Sequence, residues 1–269
     1  MALNALHSAS TGLAALNTEL DVIANNLANV NTAGFKASRV NFQDLIYQEK
    51  ALPGVENANG DERPTGLYVG LGVKVSGTQL DFEQGAPLQT DRPMDVLIDG
   101  DGFFQIEIEG DRGEGGLAYT RAGNFSLNSD GEIVLANDQG RRLTPTITVD
   151  PNASFVEIGA DGLVRFLSPG STDPQDAGTI ELATFVNPQG LKQIGENLYV
   201  QTQGSGDPIT GNPGEDNRGL IRSGFLESSN VNPTMELIKL IRTQRAFEMN
   251  SNVIRAADDT MRAVANLRR

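Results

Sequence analysis

The sequence contains no cysteine and only one histidine, His7, among its 269 residues. The absence of cysteine excludes a disulfide framework, a thiolate metal site and a cysteine nucleophile. A catalytic triad or a histidine-rich metal site would have to be built from His7 alone, and His7 lies in a predicted helix, where a solvated side chain is the commoner role. The sequence therefore predicts no catalytic residue and no histidine or thiolate metal centre.

Long apolar runs and a secretory leader are also missing. No run of about 18 apolar residues occurs, and the N-terminus has neither a basic segment nor a continuous apolar core. We expect no membrane insertion and no cleaved signal peptide. The protein either stays in the cytosol or leaves it by another route.

Positive charge is scarce in the middle of the chain. The net charge is −14, the segments 1–35 and 233–269 sum to −2 and +3, and the residues between them therefore carry about −15. An acidic surface repels phosphate groups, so we expect no nucleic-acid partner.

A heptad pattern of apolar residues runs through the first 35 residues. One set recurs every seven residues, and a second set lies three places after each of its members: Leu6, Leu13, Leu20 and Leu27, then Ala9, Leu16, Ile23 and Val30. This spacing is typical of a coiled-coil helix with a narrow apolar face. Such a helix needs a partner helix.

The matching helix is predicted from Pro233 to Leu267, with Asn232 as its N-cap. Its own heptad positions are Leu240, Phe247, Ile254 and Met261. Gln244, beside Arg245, falls near this seam, where it is either a tolerated polar defect or a buried polar group that fixes the register. We expect the two helices to pair with each other, and to be frayed in a monomer and ordered in an assembly.

Between the helices, short alternating runs separated by glycine-containing turns predict a mainly antiparallel all-β domain. The predicted class is α+β, with long N- and C-terminal helices pairing as a coiled coil around an inserted β domain. The predicted divisions are the N-terminal helix, a connector with an extended polar loop, the β domain, and the return connector with the C-terminal helix: 1–35, 36–66, 67–222 and 223–269.

Sequence motifs for cofactors are incomplete. Gly100 and Gly102 begin a dinucleotide fingerprint but lack its third glycine and its βαβ context. Asp99 and Asp101 do not complete an EF-hand calcium loop. We expect no cofactor. Two other classes stay open at this point: a calcium-binding or adhesive β module on a coiled-coil stalk, and a hydrolase, which the single histidine makes the weaker of the two.

Several blocks, in order along nearly the whole chain, resemble the bacterial flagellar rod and hook proteins. They are NNLANVNTAGFK at 25–36, DVLIDGDGFF at 95–104, YTRAGNF at 119–125, IGENLY at 194–199, GFLESSNVN at 224–232 and QRAFEMN at 244–250. Within the family, the chain length and segment 47–67 are most similar to the distal-rod branch.

The resemblance implies a structural homopolymer, a rigid helical tube that transmits motor torque to the hook and forms part of the export channel. It implies a place in the flagellar basal body, from the periplasm to the outer membrane, and export through the flagellar type III apparatus. The implied partners are other copies of the chain, the proximal rod proteins, the hook protein, the rod cap, and the P- and L-ring proteins.

Contacts between copies are expected on the helices and at their outer end. The predicted seam residues are Leu6, Leu13, Leu16, Leu20, Ile23, Leu27, Leu240, Gln244, Arg245, Phe247, Ile254 and Met261. The predicted outer-end residues are Asn25, Asn26, Asn29, Asn31, Gly34, Phe35, Asn230, Val231 and Asn232. The asparagines at the end of the first helix suit a C-cap, but four within seven residues offer more amides than a cap requires.

Overall fold

The structure is a computed structural model. The residues it describes are 2–54, 62–108, 114–153, 155–170 and 173–267. Contacts between Cα atoms divide the chain into two units. The helical unit contains residues 1–28, 38–79 and 232–269, and the β unit contains residues 29–37 and 80–231. The domain boundaries inferred from composition stay predictions, and most of the polar stretch 53–64 lies outside the described residues.

Both predicted terminal helices are present. Helix α1 spans Ala2–Ala28 and helix α2 spans Pro233–Leu267. Asn232 caps α2, because its Oδ1 accepts hydrogen bonds from the backbone N–H groups of Thr234 (3.1 Å) and Met235 (3.2 Å). Proline at the first helical position has no N–H group and leaves no donor unpaired there.

The two helices pack against each other in antiparallel orientation. Nδ2 of Asn26 lies 3.4 Å from Oε2 of Glu236. Farther along the pair, a Cβ added to Gly12 would lie 3.3 Å from Nδ2 of Asn250. The residue number falls along α1 while it rises along α2, which defines the antiparallel arrangement.

Strands form the rest of the described helical unit. They are β1 (Ser38–Asp44), β2 (Tyr47–Ala51), β3 (Leu67–Gly70) and β4 (Val73–Leu80). β1 pairs with β4, and β2 pairs with β3 in antiparallel register. α1 packs on β1, and Nδ1 of His7 lies 2.9 Å from the backbone oxygen of Leu71. The connector after residue 35 thus begins with two strands, β1 and β2.

The β unit consists of short strands separated by turns, as the alternating runs predicted. The strands are β5 (Pro87–Gln89), β6 (Val96–Asp99), β7 (Phe103–Glu107), β8 (Leu117–Thr120), β9 (Phe125–Leu127), β10 (Ile133–Leu135), β11 (Leu143–Thr144), β12 (Phe155–Ile158), β13 (Leu163–Leu167), β14 (Gln175–Thr179), β15 (Leu182–Thr184), β16 (Lys192–Gly195), β17 (Leu198–Val200), β18 (Ile209–Gly211), β19 (Leu220–Ser223) and β20 (Phe225–Glu227).

The largest sheet of the β unit has seven strands, in the order β16-β17-β8-β7-β15-β18 with β11 added at β7. A three-stranded sheet, β12-β13-β14, and the pairs β9–β10, β6–β19 and β5–β20 complete the described pairing. These pairs are antiparallel, so the predicted α+β class with a mainly antiparallel insertion is confirmed.

The central strands of the seven-stranded sheet are buried on both faces. Successive side chains of a strand point to opposite faces, so neighbours such as Phe103 and Phe104 enter different cores. Phe104 joins the larger apolar cluster, which includes Phe125 and Ile147, and Phe103 joins a smaller aromatic cluster with Tyr199. This double burial makes the sheet the centre of the β unit's packing.

Candidate assembly site

The predicted seam residues of α1 are only partly covered within one chain. Ile23 is buried, and the leucines of the heptads are half-buried: Leu6, Leu13, Leu16, Leu20 and Leu27. Two small apolar side chains, Ala9 and Ala15, are covered as well as Ile23, at 4% and 3% exposure. Small residues let α2 approach closely, and this leaves the leucines beside the contact line rather than on it.

On α2, residues spaced three and four apart face α1. They are buried or half-buried: Glu236, Leu240, Thr243, Phe247, Asn250, Ile254 and Ala257. The next heptad position, Met261, is exposed. Gln244 and Arg245 are exposed as well, so the polar Gln244 lies outside the α1–α2 contact of a single chain.

The opposite side of α2 carries large apolar side chains that the chain itself does not cover. This surface is called here the uncovered face, and its residues are Met235, Leu237, Ile238, Ile241, Met249 and Val253. Their exposure runs from 39% for Ile238 to 63% for Met249. Several large apolar side chains exposed on one side of a helix are typical of an interaction site. The heptad positions of α2 did not predict this second apolar face.

Polar groups join the end of α1 to the start of α2. Asn26, which is 1% exposed, accepts a hydrogen bond from the Ser38 N–H through Oδ1 (3.0 Å) and donates one from Nδ2 to the Ser38 oxygen (2.8 Å). Glu236 lies beside it and accepts a 2.6 Å bond from Nζ of Lys239. Asn26 therefore has partners within its own chain, and its predicted contact with other copies stays a prediction.

The remaining outer-end residues occupy different surroundings. Asn25 and Asn31 are exposed, and Oδ1 of Asn29 accepts a bond from the Thr32 hydroxyl (3.1 Å). Val231 is buried, at 7% exposure. No observation on a single chain tests a contact with a second copy, so the interface role of these asparagines stays a prediction.

Gly34, Phe35 and Asn230 are built into the β unit. Gly34 and Phe35 are buried, and Gly34 has a φ of +70°. Oδ1 of Asn230 accepts a bond from the Ala37 N–H (2.7 Å), and its Nδ2 donates to the Asp81 oxygen (2.8 Å). These contacts hold residues 29–37 against the return segment that precedes α2.

A buried ion network connects three of the sequence blocks. Nζ of Lys36 donates to Oε1 of Glu227 at 2.6 Å, and Nη1 of Arg121 lies 3.8 Å from Oε2 of the same carboxylate. The three side chains are exposed by 0%, 1% and 4%. Burial lowers the pKa of Lys36, and the carboxylate of Glu227 opposes that shift. Sequence reasoning missed this network, although GFK, YTRAGNF and GFLESSN each contribute one member.

The described residues also bear on whether the chain has a metal site or a membrane-spanning helix. Within the described ranges, no three His, Cys, Asp or Glu side chains are grouped so that they could hold a metal ion. None of the described helices combines the length and the apolar character needed to cross a membrane.

Comparison with known proteins finds similarity to flagellar proteins along the chain. Three family descriptions match: "Flagella basal body rod protein" over residues 6–36, "Flagellar hook protein FlgE/F/G D1 domain" over 97–166, and "Flagellar basal body rod FlgEFG protein C-terminal" over 222–267.

Similarity to individual proteins extends over the whole length. The flagellar basal-body rod protein FlgG of Caulobacter vibrioides is 42% identical over 99% of this chain and 100% of its own. FlgG of Buchnera aphidicola subsp. Schizaphis graminum is 42% identical over 96% of both chains. The flagellar basal-body rod protein FlgF of Caulobacter vibrioides is 32% identical, over 96% of this chain and 93% of its own.

Proposed function

We propose, from the premise that this chain belongs to the FlgG family of flagellar basal-body rod proteins, that it is a structural subunit of the distal rod. The observation that carries the proposal is the end-to-end similarity to FlgG relatives. Both helices and the β unit lie within the aligned region, so the match does not rest on one shared module. The role is structural rather than catalytic.

Self-assembly into a helical tube is supported by the uncovered face of α2. Its six large apolar side chains are between 39% and 63% exposed in one chain. Covering a half-exposed side chain of this size gains on the order of 1 kcal/mol. A second copy that presents its own helices to this face would gain several such contributions at once, and we propose that it does.

Within each copy, we further propose that α1 and α2 pair as a coiled coil. The three- and four-residue spacing of the α2 positions that face α1 supports this packing. The half-buried leucines of α1, including Leu13 and Leu20, would then complete their burial against other copies.

The wider role follows from the family. We propose that the tube transmits motor torque to the hook, encloses part of the export channel and spans the region from the periplasm to the outer membrane. Its proposed partners are the proximal rod proteins, the hook protein, the rod cap, and the P- and L-ring proteins, and its proposed route is the flagellar type III apparatus.

The test changes Ile241 on the uncovered face to Asp. Ile241 is 49% exposed, so we expect Ile241→Asp to leave the fold and the thermal unfolding of the monomer nearly unchanged. A buried carboxylate between copies is costly, so the variant should form no tubes or fibres under conditions in which the natural chain does. Sedimentation over a wide concentration range and electron microscopy measure this.

The matched control is Asn17→Asp, which adds the same charge at an exposed polar position of α1, away from the uncovered face. We expect it to assemble like the natural chain. If Ile241→Asp also assembles normally, the uncovered face does not join copies.

A further inference from the structure

The buried ion network links two parts of the chain that are far apart in sequence. Lys36 and Glu227 are separated by 191 residues, and most of the β unit lies between them. Arg121, at the end of β8, approaches the other oxygen of the same carboxylate. The network therefore forms only when three distant segments have come together.

Each member of the network has a neutral backbone partner, but its charge is balanced within hydrogen-bond or ion-pair distance only by the other members. Besides Glu227, Lys36 donates to the backbone oxygen of Glu83 at 2.7 Å. Oε1 of Glu227 also accepts a 2.8 Å bond from the Gly85 N–H. Arg121 donates to the Gly100 oxygen at 2.8 Å. A buried charge is strongly unfavourable unless it is paired, so none of the three is stable in this place alone.

Removing Glu227 is the most unfavourable change to the network, because it leaves two positive charges close together. Two cations share one carboxylate at ion-pair distance, and Asp81 near Lys36 and Asp101 near Arg121 act on them only as weaker, longer-range charges. Without Glu227, docking of residues 29–37 would bury Lys36 near Arg121, and the two like charges would repel each other. An incomplete network therefore opposes closure instead of merely failing to support it.

The backbone segments around the network pack closely against one another. Gly34 donates a 2.8 Å bond to the Glu227 oxygen, and a Cβ at Gly34 would lie 2.6 Å from the backbone nitrogen of Ala122. A Cβ at Gly85 would overlap the Ser228 oxygen. Segments 29–37 and 223–231 thus fit against the β unit in one tight arrangement.

We propose that Lys36, Arg121 and Glu227 form a closure latch, which keeps residues 29–37 undocked from the β unit until the return segment carrying Glu227 has arrived. A chain that leaves a channel N-terminus first would deliver Lys36 long before Glu227. The latch would then hold an incompletely exported subunit open. This use of the latch rests on the proposed function, but the latch itself does not.

The test measures amide hydrogen exchange in the full-length monomer. In Glu227→Gln, which preserves the side-chain shape but removes the charge, we expect exchange at Gly34, Ala37 and Gly85 to rise roughly tenfold or more. Amides of the seven-stranded sheet, such as that of Phe104, should keep their protection. Asp176→Asn, which removes an exposed ion pair with Arg165, is the control and should change none of these amides.

A second variant separates a latch from ordinary core packing. Adding Lys36→Met to Glu227→Gln removes one of the two unpaired cations, so we expect exchange at Gly34 and Gly85 to slow again relative to Glu227→Gln alone. If the pair served only as packing, the second substitution would speed exchange further, and that result would overturn the proposal.

Two other outcomes also count against the latch. One is natural-like exchange at these amides in Glu227→Gln, and the other is an equal loss of protection throughout the β unit. Because these measurements use the monomer, they stand apart from the assembly test: the latch can fail while Ile241→Asp still abolishes tubes, and the reverse also holds.

Discussion

At the scale of single residues, Tyr199 shows how burial in the seven-stranded sheet affects a polar side chain. Its ring packs edge-on against Phe82 (5.5 Å between centroids) and Phe103 (6.2 Å) and is 2% exposed. Burial raises the pKa of its phenol to about 12. The hydroxyl therefore stays protonated in the folded chain at pH values that ionise it in the unfolded chain.

Tyr199→Phe tests this residue through alkaline stability. Between pH 10 and pH 12 the folded chain holds the phenolic proton while the unfolded chain has lost it, so stability falls as pH rises through this window. The loss due to Tyr199 is up to about 2 kcal/mol. Urea unfolding measured below pH 10 and near pH 12 should show a smaller loss of stability with rising pH for Tyr199→Phe than for the natural chain. Lys36 and Tyr119 titrate in both proteins, so equal losses would contradict the assignment.

At the scale of elements, the junction of α1, α2 and β1 sets the register of the helix pair. Asn26 bonds both backbone groups of Ser38 and lies beside Glu236, so one side chain connects all three elements. Elsewhere along the pair the contacts are Gly12 against Asn250 and apolar side chains such as Ile23 and Phe247, which fix the register less strictly than a set of directional hydrogen bonds.

Asn26→Leu is expected to destabilise the helical unit by about 2 kcal/mol, because it removes the partners of the half-buried Ser38 N–H and oxygen. Denaturant unfolding followed by circular dichroism at helical wavelengths measures the change. Asn17→Leu, at an exposed position of α1, is the control and should stay within about 0.5 kcal/mol. Equal effects of the two substitutions would exclude a special role for Asn26.

These elements show which features of the fold can be predicted from the sequence alone. Heptad spacing and the Asn232 cap predicted both helices, because local periodicity and capping encode them. The role of Asn26 was not predictable in this way, since its partners Ser38 and Glu236 lie 12 and 210 residues away. For the same reason, the sequence identified the blocks that contain Lys36, Arg121 and Glu227 but did not predict that these three side chains contact one another.

At the scale of the whole molecule, the β unit is discontinuous in sequence. It includes residues 29–37, which precede strands of the helical unit, and it continues to residue 231. Contacts such as Asn197 Nδ2 to the Ala33 oxygen (3.0 Å) fasten this early segment. Composition cannot reveal such a boundary, because residues 29–37 resemble a helix cap and a linker.

A pair of fragments tests this organisation. Fragment 29–231 contains the whole β unit and should melt cooperatively. Fragment 38–228 lacks Lys36 and leaves Glu227 without its 2.6 Å partner, so we expect it to be less stable by about 3 kcal/mol or more. Thermal and urea unfolding of the two fragments measure the difference, and equal stability would show that residues 29–37 are dispensable.

The antiparallel helix pair also has a polarity. Its contacts match residue 26 with 236 and residue 12 with 250, which places the start of α1 opposite about residue 260. α2 has 35 residues and α1 has 27, so α2 continues as a single helix for roughly 10 Å beyond its partner. At one end of the pair α1 ends and α2 begins, and the other end carries this overhang. A stack of such pairs is directional, and its two ends offer different surfaces to an incoming copy.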